Sequence, residues 1–426
     1  MPTTLIILFV LTYAAIAFEH PLKISKSASA LLGAGAMWSV YALSSGDAHA
    51  LNEQLGESLV ATAQIVFFLM GAMTIVEVVD AHHGFEVVTA RIKTSSLSSL
   101  MGLIGIVTFF LSAVLDNLAT TIVMVSLLRK LIDDREDRLL FAGIVIIAAN
   151  AGGAWSPIGD VTTTMLWIGG QVTGQAVVTA LFVPSLVSLL LPLGIAAFML
   201  RGRQVVAPAR HDEADGASTG VFERNVMFFL GLAILLAVPV FKTVTHLPPF
   251  MGILFGLGLL WLIGDALHRD KDERDKERLS LAHAMKKIDM PSLMFFIGIL
   301  LAVATLEHTH LLATLAGWLS HAIGRTDLIV LIIGIASAVV DNVPLVAATM
   351  GMYDLSAYPP DDFLWQFLAY CAGTGGSILV IGSAAGVAAM GLERIDFGWY
   401  LRKISFLALL GYLAGAGTYL LQNAAG

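Results

Sequence analysis

Long apolar segments alternate with short polar loops along almost the whole chain. A tilted helix needs about 20 predominantly apolar residues to cross the hydrocarbon core of a bilayer, and most of these segments approach that length. The pattern therefore predicts an all-α polytopic membrane protein. The apolar segments lie at about 3–18, 28–43, 58–79, 139–158, 176–200, 225–241, 250–268, 290–306, 363–390 and 398–421.

Composition agrees with a membrane protein and excludes several other classes. The chain is 57% hydrophobic and 13% charged, whereas soluble domains are about 45–50% apolar and about 25% charged. The single cysteine, Cys371, excludes an internal disulfide framework and a metal site built from cysteines. Walker A, dinucleotide-binding and zinc-helix motifs do not occur, so we expect neither an enzyme nor an ATP-driven pump, and no cofactor.

The first apolar segment, 3–18, has the length of a signal peptide. It lacks the positively charged residues that precede the apolar core of such a signal, and Lys23 and Lys26 follow it instead. We therefore expect a retained first span.

A polar motif occurs twice, as Ser-Ala-Val-Leu-Asp-Asn at 112–117 and as Ser-Ala-Val-Val-Asp-Asn at 337–342. An Asp at the centre of a membrane helix costs about 2.5–3.5 kcal/mol on insertion scales, so a duplicated Asp-Asn pair indicates a polar ligand. The apolar runs on either side of each pair are too short to cross the membrane separately. We predict two re-entrant hairpins, at about 98–131 and 327–353, with Pro344 discouraging a continuous helix in the second.

A glycine-rich break follows each predicted hairpin. The first is Asn150–Asp160, and the second is Gly373–Ser383. Such breaks free backbone carbonyls that lipid cannot satisfy but a bound cation can. We predict broken helices at about 139–170 and 363–390, and matching breaks in two halves indicate an ion site near the middle of the membrane. The halves are chemically unequal, because Asp160 aligns with a serine in the second half.

The side chains near these breaks offer carboxylate, amide and hydroxyl oxygens, which suit a small hard cation. Apart from Arg129 and Lys130 at the far end of the first hairpin, no Arg or Lys lies inside the four elements, so an anionic substrate has no obvious partner, although helix N-termini can still attract one. Glycine pairs also occur where helices simply pack closely, which is the structural alternative. The candidate cation- and proton-binding residues are Asp116, Asn117, Asn150, Ser156, Asp160, Thr162, Thr163, Ser337, Asp341, Asn342, Thr374 and Ser377, with Na⁺ placed at Asp116, Asp160 and Asp341.

A second polar set ends the spans that precede the hairpins. Glu77, Asp80, His82 and His308 combine carboxylates with histidines, whose charge changes in the physiological pH range. We name these four as candidates for pH sensing, with ordinary interfacial polar residues as the alternative reading.

Basic residues predict the orientation of the chain, because they accumulate in cytoplasmic loops. We count each long apolar segment as one membrane crossing and neither hairpin as a crossing. This count places the basic loops in the cytoplasm and both termini outside. The count also makes 1–200 and 225–426 repeats of inverted topology, with a cytoplasmic linker at 201–224 and a cytoplasmic loop at 269–288 in the second repeat. The basic residues of the loops outside 269–288 are Lys23, Lys26, Arg91, Lys93, Arg129, Lys130, Arg201, Arg203, Arg210 and Arg224.

Several of these motifs resemble those of the NhaD-type sodium/proton antiporters, over nearly the whole chain. The resemblance implies a member of the ion transporter superfamily, with a scaffold domain that usually forms a homodimer and a transport domain that moves like an elevator. Carboxylate carriers of that superfamily have Ser-Asn-Thr at the hairpin tips, where this chain has Asp-Asn-Leu and Asp-Asn-Val. The resembling stretches are Glu19–Lys23, Gly71–Glu77, Leu115–Thr121, Asn150–Asp160, Gly298–Val303 and Ser337–Pro344.

We therefore expect a secondary transporter that exchanges cytoplasmic Na⁺ (or Li⁺) for external protons and serves pH and sodium homeostasis. The expected location is a bacterial inner membrane, and the expected partners are the ions, the lipid bilayer and a second copy of the chain, with no nucleic acid. Two alternatives remain at this point: a sodium-coupled di- or tricarboxylate symporter or other anion carrier, and a membrane sensor or assembly subunit that transports nothing.

Overall fold

The computed structural model describes residues 2–17, 19–45, 47–89, 94–205, 219–339 and 341–424. Within these ranges the chain is almost entirely α-helical, and its only β contact is one isolated bridge between Ser96 and Gln204. This confirms the predicted all-α architecture. Three basic residues used for the predicted orientation, Arg91, Lys93 and Arg210, lie outside the described residues.

The described ranges contain twenty-two helices. In the first half they are α1 (Pro2–Ala17), α2 (Glu19–Leu22), α3 (Lys26–Ser44), α4 (Ala48–Ala81), α5 (Glu86–Thr89), α6 (Leu97–Ser112), α7 (Asn117–Leu131), α8 (Arg135–Ala154), α9 (Val161–Ile168) and α10 (Gly174–Met199). In the second half they are α11 (Val221–Thr245), α12 (Pro249–Leu267), α13 (Glu273–Leu279), α14 (Leu281–Met285), α15 (Met290–His308), α16 (Leu311–Ile323), α17 (Thr326–Ala336), α18 (Asn342–Met352), α19 (Phe363–Gly375), α20 (Ala384–Glu393), α21 (Phe397–Lys403) and α22 (Ser405–Ala424).

Seven helices of the described chain are long and apolar enough to cross a membrane, or eight if the bent pair α16–α17 counts as one span. This confirms the predicted membrane protein. The predicted segment 58–79 is only the inner part of α4, which has 34 residues and is therefore about 50 Å long. The seven helices are α4, α8, α10, α11, α12, α15 and α22.

The chain turns at both duplicated motifs. Helix α6 ends at Ser112 and α7 begins at Asn117, while α17 ends at Ala336 and α18 begins at Asn342. These four helices have 16, 15, 11 and 11 residues, which is short of a full crossing. Breaks also separate α8 from α9 and α19 from α20 at the two glycine-rich stretches.

Glycine allows the broken helices to touch the turning helices, and it does so at equivalent positions in the two halves. A Cβ atom on Gly152 would lie 2.2 Å from the carbonyl oxygen of Phe109, and one on Gly375 would lie 2.0 Å from that of Gly334. The serine of each motif also bonds to its broken helix: Ser112 Oγ donates to Ala149 O at 2.6 Å, and Ser337 Oγ donates to Ala372 O at 3.3 Å. The duplicated sequence thus makes duplicated contacts.

A buried carboxylate joins the two halves at one end of the bundle. Glu393, at the end of α20, is 4% exposed and accepts from Arg129 Nε at 2.7 Å and from Arg138 Nε at 2.8 Å. Both arginines belong to the first half, in α7 and α8. Elsewhere α3 packs along α15, and α10 packs along α22.

Candidate ion-binding site

A network of four polar side chains lies where the first turn meets both breaks. Asn117 Nδ2 donates to Asn150 Oδ1 and to Asp160 Oδ2, each at 3.1 Å. Asn150 Nδ2 donates to Ser383 Oγ at 2.9 Å. All four residues are buried, and they come from α7, α8 and the breaks that precede α9 and α20. The network therefore joins the two halves of the chain.

Asp160 is held in place by local sequence. It is the N-cap of α9, and its Oδ1 accepts from the backbone N–H of Thr162 at 3.0 Å while Oδ2 accepts from Asn117. A carboxylate has about four acceptor sites, so both oxygens can accept further bonds or bind a cation. No salt bridge to Asp160 forms among the described residues. A buried charge without a partner is costly, so this carboxylate is suited to bind a cation or a proton.

Asp116 lies beside this network at the tip of the first turn. Its backbone φ is 93°, a conformation that residues other than glycine rarely adopt. Asp116 is also the N-cap of α7, and its Oδ1 accepts a hydrogen bond from Ala119 N at 2.7 Å. Residues held in such conformations cost about 1–3 kcal/mol and cluster at functional sites. Asp160 is close enough to both Asp341 and Asp116 to interact with them electrostatically, so the three carboxylates form one negatively charged region.

A cavity of 570 Å³ gives access to Asp116. Glu77 and Asp80 line it, as do Lys130 and Lys287, and the last two are exposed at the surface. The cavity therefore connects the carboxylate of Asp116 with solvent along a wall that carries further carboxylates.

Unpartnered hydroxyl groups surround the same elements. Among the described residues, Thr120 and Thr121 in the first turns of α7, and Thr163 in α9, have buried Oγ1 atoms without a hydrogen-bond partner. Buried polar atoms almost always find a partner, so each exception needs an explanation. A bound cation with its waters provides one, since hydroxyl oxygens are hard ligands.

Several predicted site residues use their hydroxyl groups in short-range bonds within the turns and breaks, and Ser337 also donates to the second broken helix as described above. Ser337 Oγ donates to Gly334 O at 2.8 Å, Thr374 Oγ1 to Tyr370 O at 2.6 Å and Ser377 Oγ to Thr374 O at 2.5 Å. Ser156 Oγ accepts from Ile158 N at 3.4 Å. These bonds shape the turns and breaks, and none of them reaches the Asn117–Asp160 network.

The duplicated carboxylate, Asp341, has a different environment from Asp116. Its Oδ2 lies 3.1 Å from Nζ of Lys26, and Oδ1 accepts from Val343 N at 3.2 Å as the N-cap of α18. Its neighbour Asn342 is buried. Lys26 was expected in a loop, but the structure places it in the first turn of α3. Among the described residues, Asp116 and Asp160 thus have no salt bridge, whereas Asp341 has one with a lysine.

The four candidates for pH sensing separate into three places. Glu77 and Asp80 line the cavity of Asp116. His308 bonds to Ser58 Oγ at 2.9 Å, away from the network. His82 is fully buried, with Nε2 2.9 Å from Nε2 of His268 and Nδ1 2.7 Å from Val78 O.

The rings of His82 and His268 stack with their centres 4.9 Å apart, and burial favours the neutral form of both. Burial lowers the pKa of His82 from 6.5 to about 4, and the neighbouring His268 acts in the same direction. Burial also lowers the pKa of His268. The charged groups nearby are Asp265 and the pair Glu223–Lys271, whose side chains lie 2.9 Å apart.

We expect the stability of the protein to fall with acid because of His82. Folding lowers the pKa of this histidine, so the unfolded chain takes up the proton first, and the stabilisation is complete above pH 6.5 and lost between 6.5 and about 4. The loss is on the order of 3 kcal/mol. Thermal unfolding of His82→Gln in detergent should show a flatter pH dependence in this window than wild type. The exposed His49→Gln should retain the wild-type slope, and an unchanged slope in His82→Gln would contradict the assignment.

Three residues at or near these sites were not among the sequence candidates. Ser383 aligns with Asp160 in the repeat, so its place at the break was a usable signal. Lys26 was counted only as a loop charge, and His268 ends an apolar helix without any motif. For the last two, nothing in the local sequence indicates the partner.

Comparisons with known proteins identify relatives over nearly the whole chain. A protein family described as citrate transporter matches residues 7–373. Sodium/proton antiporter 1 of Arabidopsis thaliana is 50% identical over 97% of this chain and 71% of its own length. The Na⁺/H⁺ antiporter NhaD of Alkalimonas amylolytica is 30% identical over 98% of this chain and 90% of its own length. The crystal structure of the Alcanivorax borkumensis YdaH transporter has the same fold, with a TM-score of 0.56 at 13% identity, covering 89% of this chain and 90% of that one.

Proposed function

The chain belongs to the citrate transporter family as an NhaD-type member, and on that premise we propose that it is a sodium/proton antiporter. The observation that carries the proposal is Asp160, a buried carboxylate without a salt bridge in the described chain, bonded to Asn117 within a set of amide and hydroxyl oxygens. This set suits a small hard cation. The same set contains no basic side chain that could pair with a carboxylate substrate.

Exchange follows from competition for the same oxygens. Sodium is the cargo, and Asp160 and Asp116 supply the negative charge that binds it. Asn117 orients Asp160 through the 3.1 Å bond, while Asn150, Thr162 and Thr163 surround the site. A proton on either carboxylate removes the charge that attracts the cation, and a bound cation disfavours protonation. The protein then needs only to expose the site alternately to the two sides of the membrane.

The cavity beside Asp116 suggests which side is open. Lys130 and Lys287 lie at its surface, and basic residues accumulate on the cytoplasmic side of membrane proteins. We propose that the described conformation faces the cytoplasm and receives Na⁺ or Li⁺ there, with protons entering from the outside. Both termini would then lie outside, in a bacterial inner membrane.

Alternating access is proposed to use the duplicated elements. Helices α6–α9 and α17–α20 make matching contacts in the two halves, which supports two repeats of inverted topology. In an elevator-like movement, these elements would move together with α10 and α22. They would slide against a second group of helices, which consists of α3, α4, α11, α12 and α15. A homodimer formed through the second group would give the moving elements a fixed frame.

The test is proton flux in proteoliposomes with an imposed pH gradient. Na⁺, Li⁺, K⁺, citrate and succinate are added one at a time between pH 7 and 9.5. We expect Na⁺, and Li⁺ with it, to collapse the gradient without any organic anion. A sodium uptake that begins only when citrate or succinate is added would replace antiport by carboxylate symport, and silence under all conditions would indicate a protein that does not transport these ions.

A further inference from the structure

The second duplicated carboxylate already has a cation of its own. Lys26 Nζ lies 3.1 Å from Asp341 Oδ2, and the two side chains are 24% and 17% exposed. The same ammonium lies 4.6 Å from the centre of the Phe295 ring. A cation over an aromatic face is stabilised further when it is shielded from water. This is therefore a shielded ion pair rather than a surface contact.

The lysine is aimed at Asp341 by its neighbours. Its backbone N–H donates to Glu19 Oε1 at 3.0 Å, and the adjacent Ser27 Oγ donates to Pro291 O at 2.7 Å. The second bond fixes the start of α3 against the start of α15, which also carries the Phe295 ring. The position of the ammonium is thus set by packing, not by the length of a mobile side chain.

The two tips differ in how their carboxylates are paired. Asp116 and Asp341 occupy the same place in the duplicated motif, and each is the N-cap of the helix that follows. In the described part of the chain Asp116 forms no salt bridge and lines the cavity, whereas Asp341 is paired. An ion pair of this kind neutralises a carboxylate without any ion from solution.

We propose that Lys26 is the built-in counter-cation of Asp341 in this conformation, so that the second tip carries neither Na⁺ nor the exchanged proton. This proposal rests on the proposed antiport. Exchange is then carried by Asp116 and Asp160 alone, and the number of protons per sodium is set at the first tip. Lys26 acts through Asp341 and is a positioning residue.

The test is a double-mutant cycle. Lys26→Met and Asp341→Asn each leave one charge without its partner, and each should lower exchange by about tenfold or more. The double variant removes both charges and keeps an N-cap side chain at 341. It should recover exchange to within about threefold of wild type, with the same proton-to-sodium ratio and pH profile. Lys23→Met, which removes a nearby exposed charge, is the control and should behave as wild type.

Two results would contradict the proposal. A double variant as inactive as Asp341→Asn would show that Asp341 itself binds the transported ion, and the proposal would fail while antiport stood. Thermal stability of the four proteins gives a readout without transport: recovery in the double variant supports the pair, and additive losses refute it. Absence of sodium flux in wild type would instead refute the antiport and, with it, the role assigned to the first tip.

Discussion

Replacing Asp160 by Asn should reduce sodium-driven proton flux by about 100-fold, which corresponds to about 2.8 kcal/mol. The asparagine has nearly the same shape and can still accept the Thr162 N–H as an N-cap of α9. The negative charge for which sodium and protons compete is lost, and so is the acceptor for Asn117 Nδ2, because the new amide nitrogen takes the place of Oδ2. The flux is measured in proteoliposomes as collapse of an imposed pH gradient on addition of Na⁺.

The chain offers a matched control for this substitution. Asp134 is the N-cap of α8 and accepts from Asp137 N at 2.9 Å, but it is exposed and lies at the opposite end of α8 from Asn150. Asp134→Asn should therefore keep both stability and flux. If Asp160→Asn retained full pH-dependent exchange, the site would have to lie elsewhere, and the buried network would be structural.

Replacing Gly152 by Ala should destabilise the protein by about 3 kcal/mol, at the upper end of the cost of overpacking. The new Cβ would lie 2.2 Å from the Phe109 carbonyl oxygen and 2.9 Å from that residue's Cα. Both neighbours are backbone atoms, so no side chain can rotate away and α6 must separate from α8. Thermal unfolding in detergent measures the loss. Because this contact holds the first turn against the break, sodium-driven flux should fall as well.

Gly102 provides the comparison, since it lies in α6 with open space around its missing Cβ. Gly102→Ala should leave stability unchanged or raise it by up to about 1 kcal/mol, because Ala favours helix more than Gly. Equal stability changes in the two variants would show that the effect comes from helix propensity and not from the contact with Phe109.

Much of the architecture was predictable because it depends on local properties of the chain. Hydrophobic length selects the spans, and the confirmed all-α membrane fold follows from it. The ends of α6, α17, α8 and α19 fall where the sequence has Asp-Asn pairs or glycine runs, since capping side chains and glycine act within a turn or two of the backbone. The length of α4 was underestimated, because polar residues of its first turns can extend a helix beyond the apolar segment.

The chemistry of the site was predictable only in part. The sequence placed Asn117, Asn150 and Asp160 near one another through the alignment of the two halves, and the structure joins them by direct hydrogen bonds. It also treated Asp116 and Asp341 as equivalent, because their local motifs are nearly the same. Their environments differ, and no local pattern reveals that difference.

By itself the sequence determined a helical membrane protein with a duplicated acidic motif and duplicated breaks, because burial in lipid and helix termination depend on neighbouring residues. The tertiary structure decided which polar groups meet. Lys26 reaches Asp341 across 315 positions and Asn150 reaches Ser383 across 233. Such pairs depend on the distance between atoms brought together by packing, and composition and periodicity place no constraint on that distance.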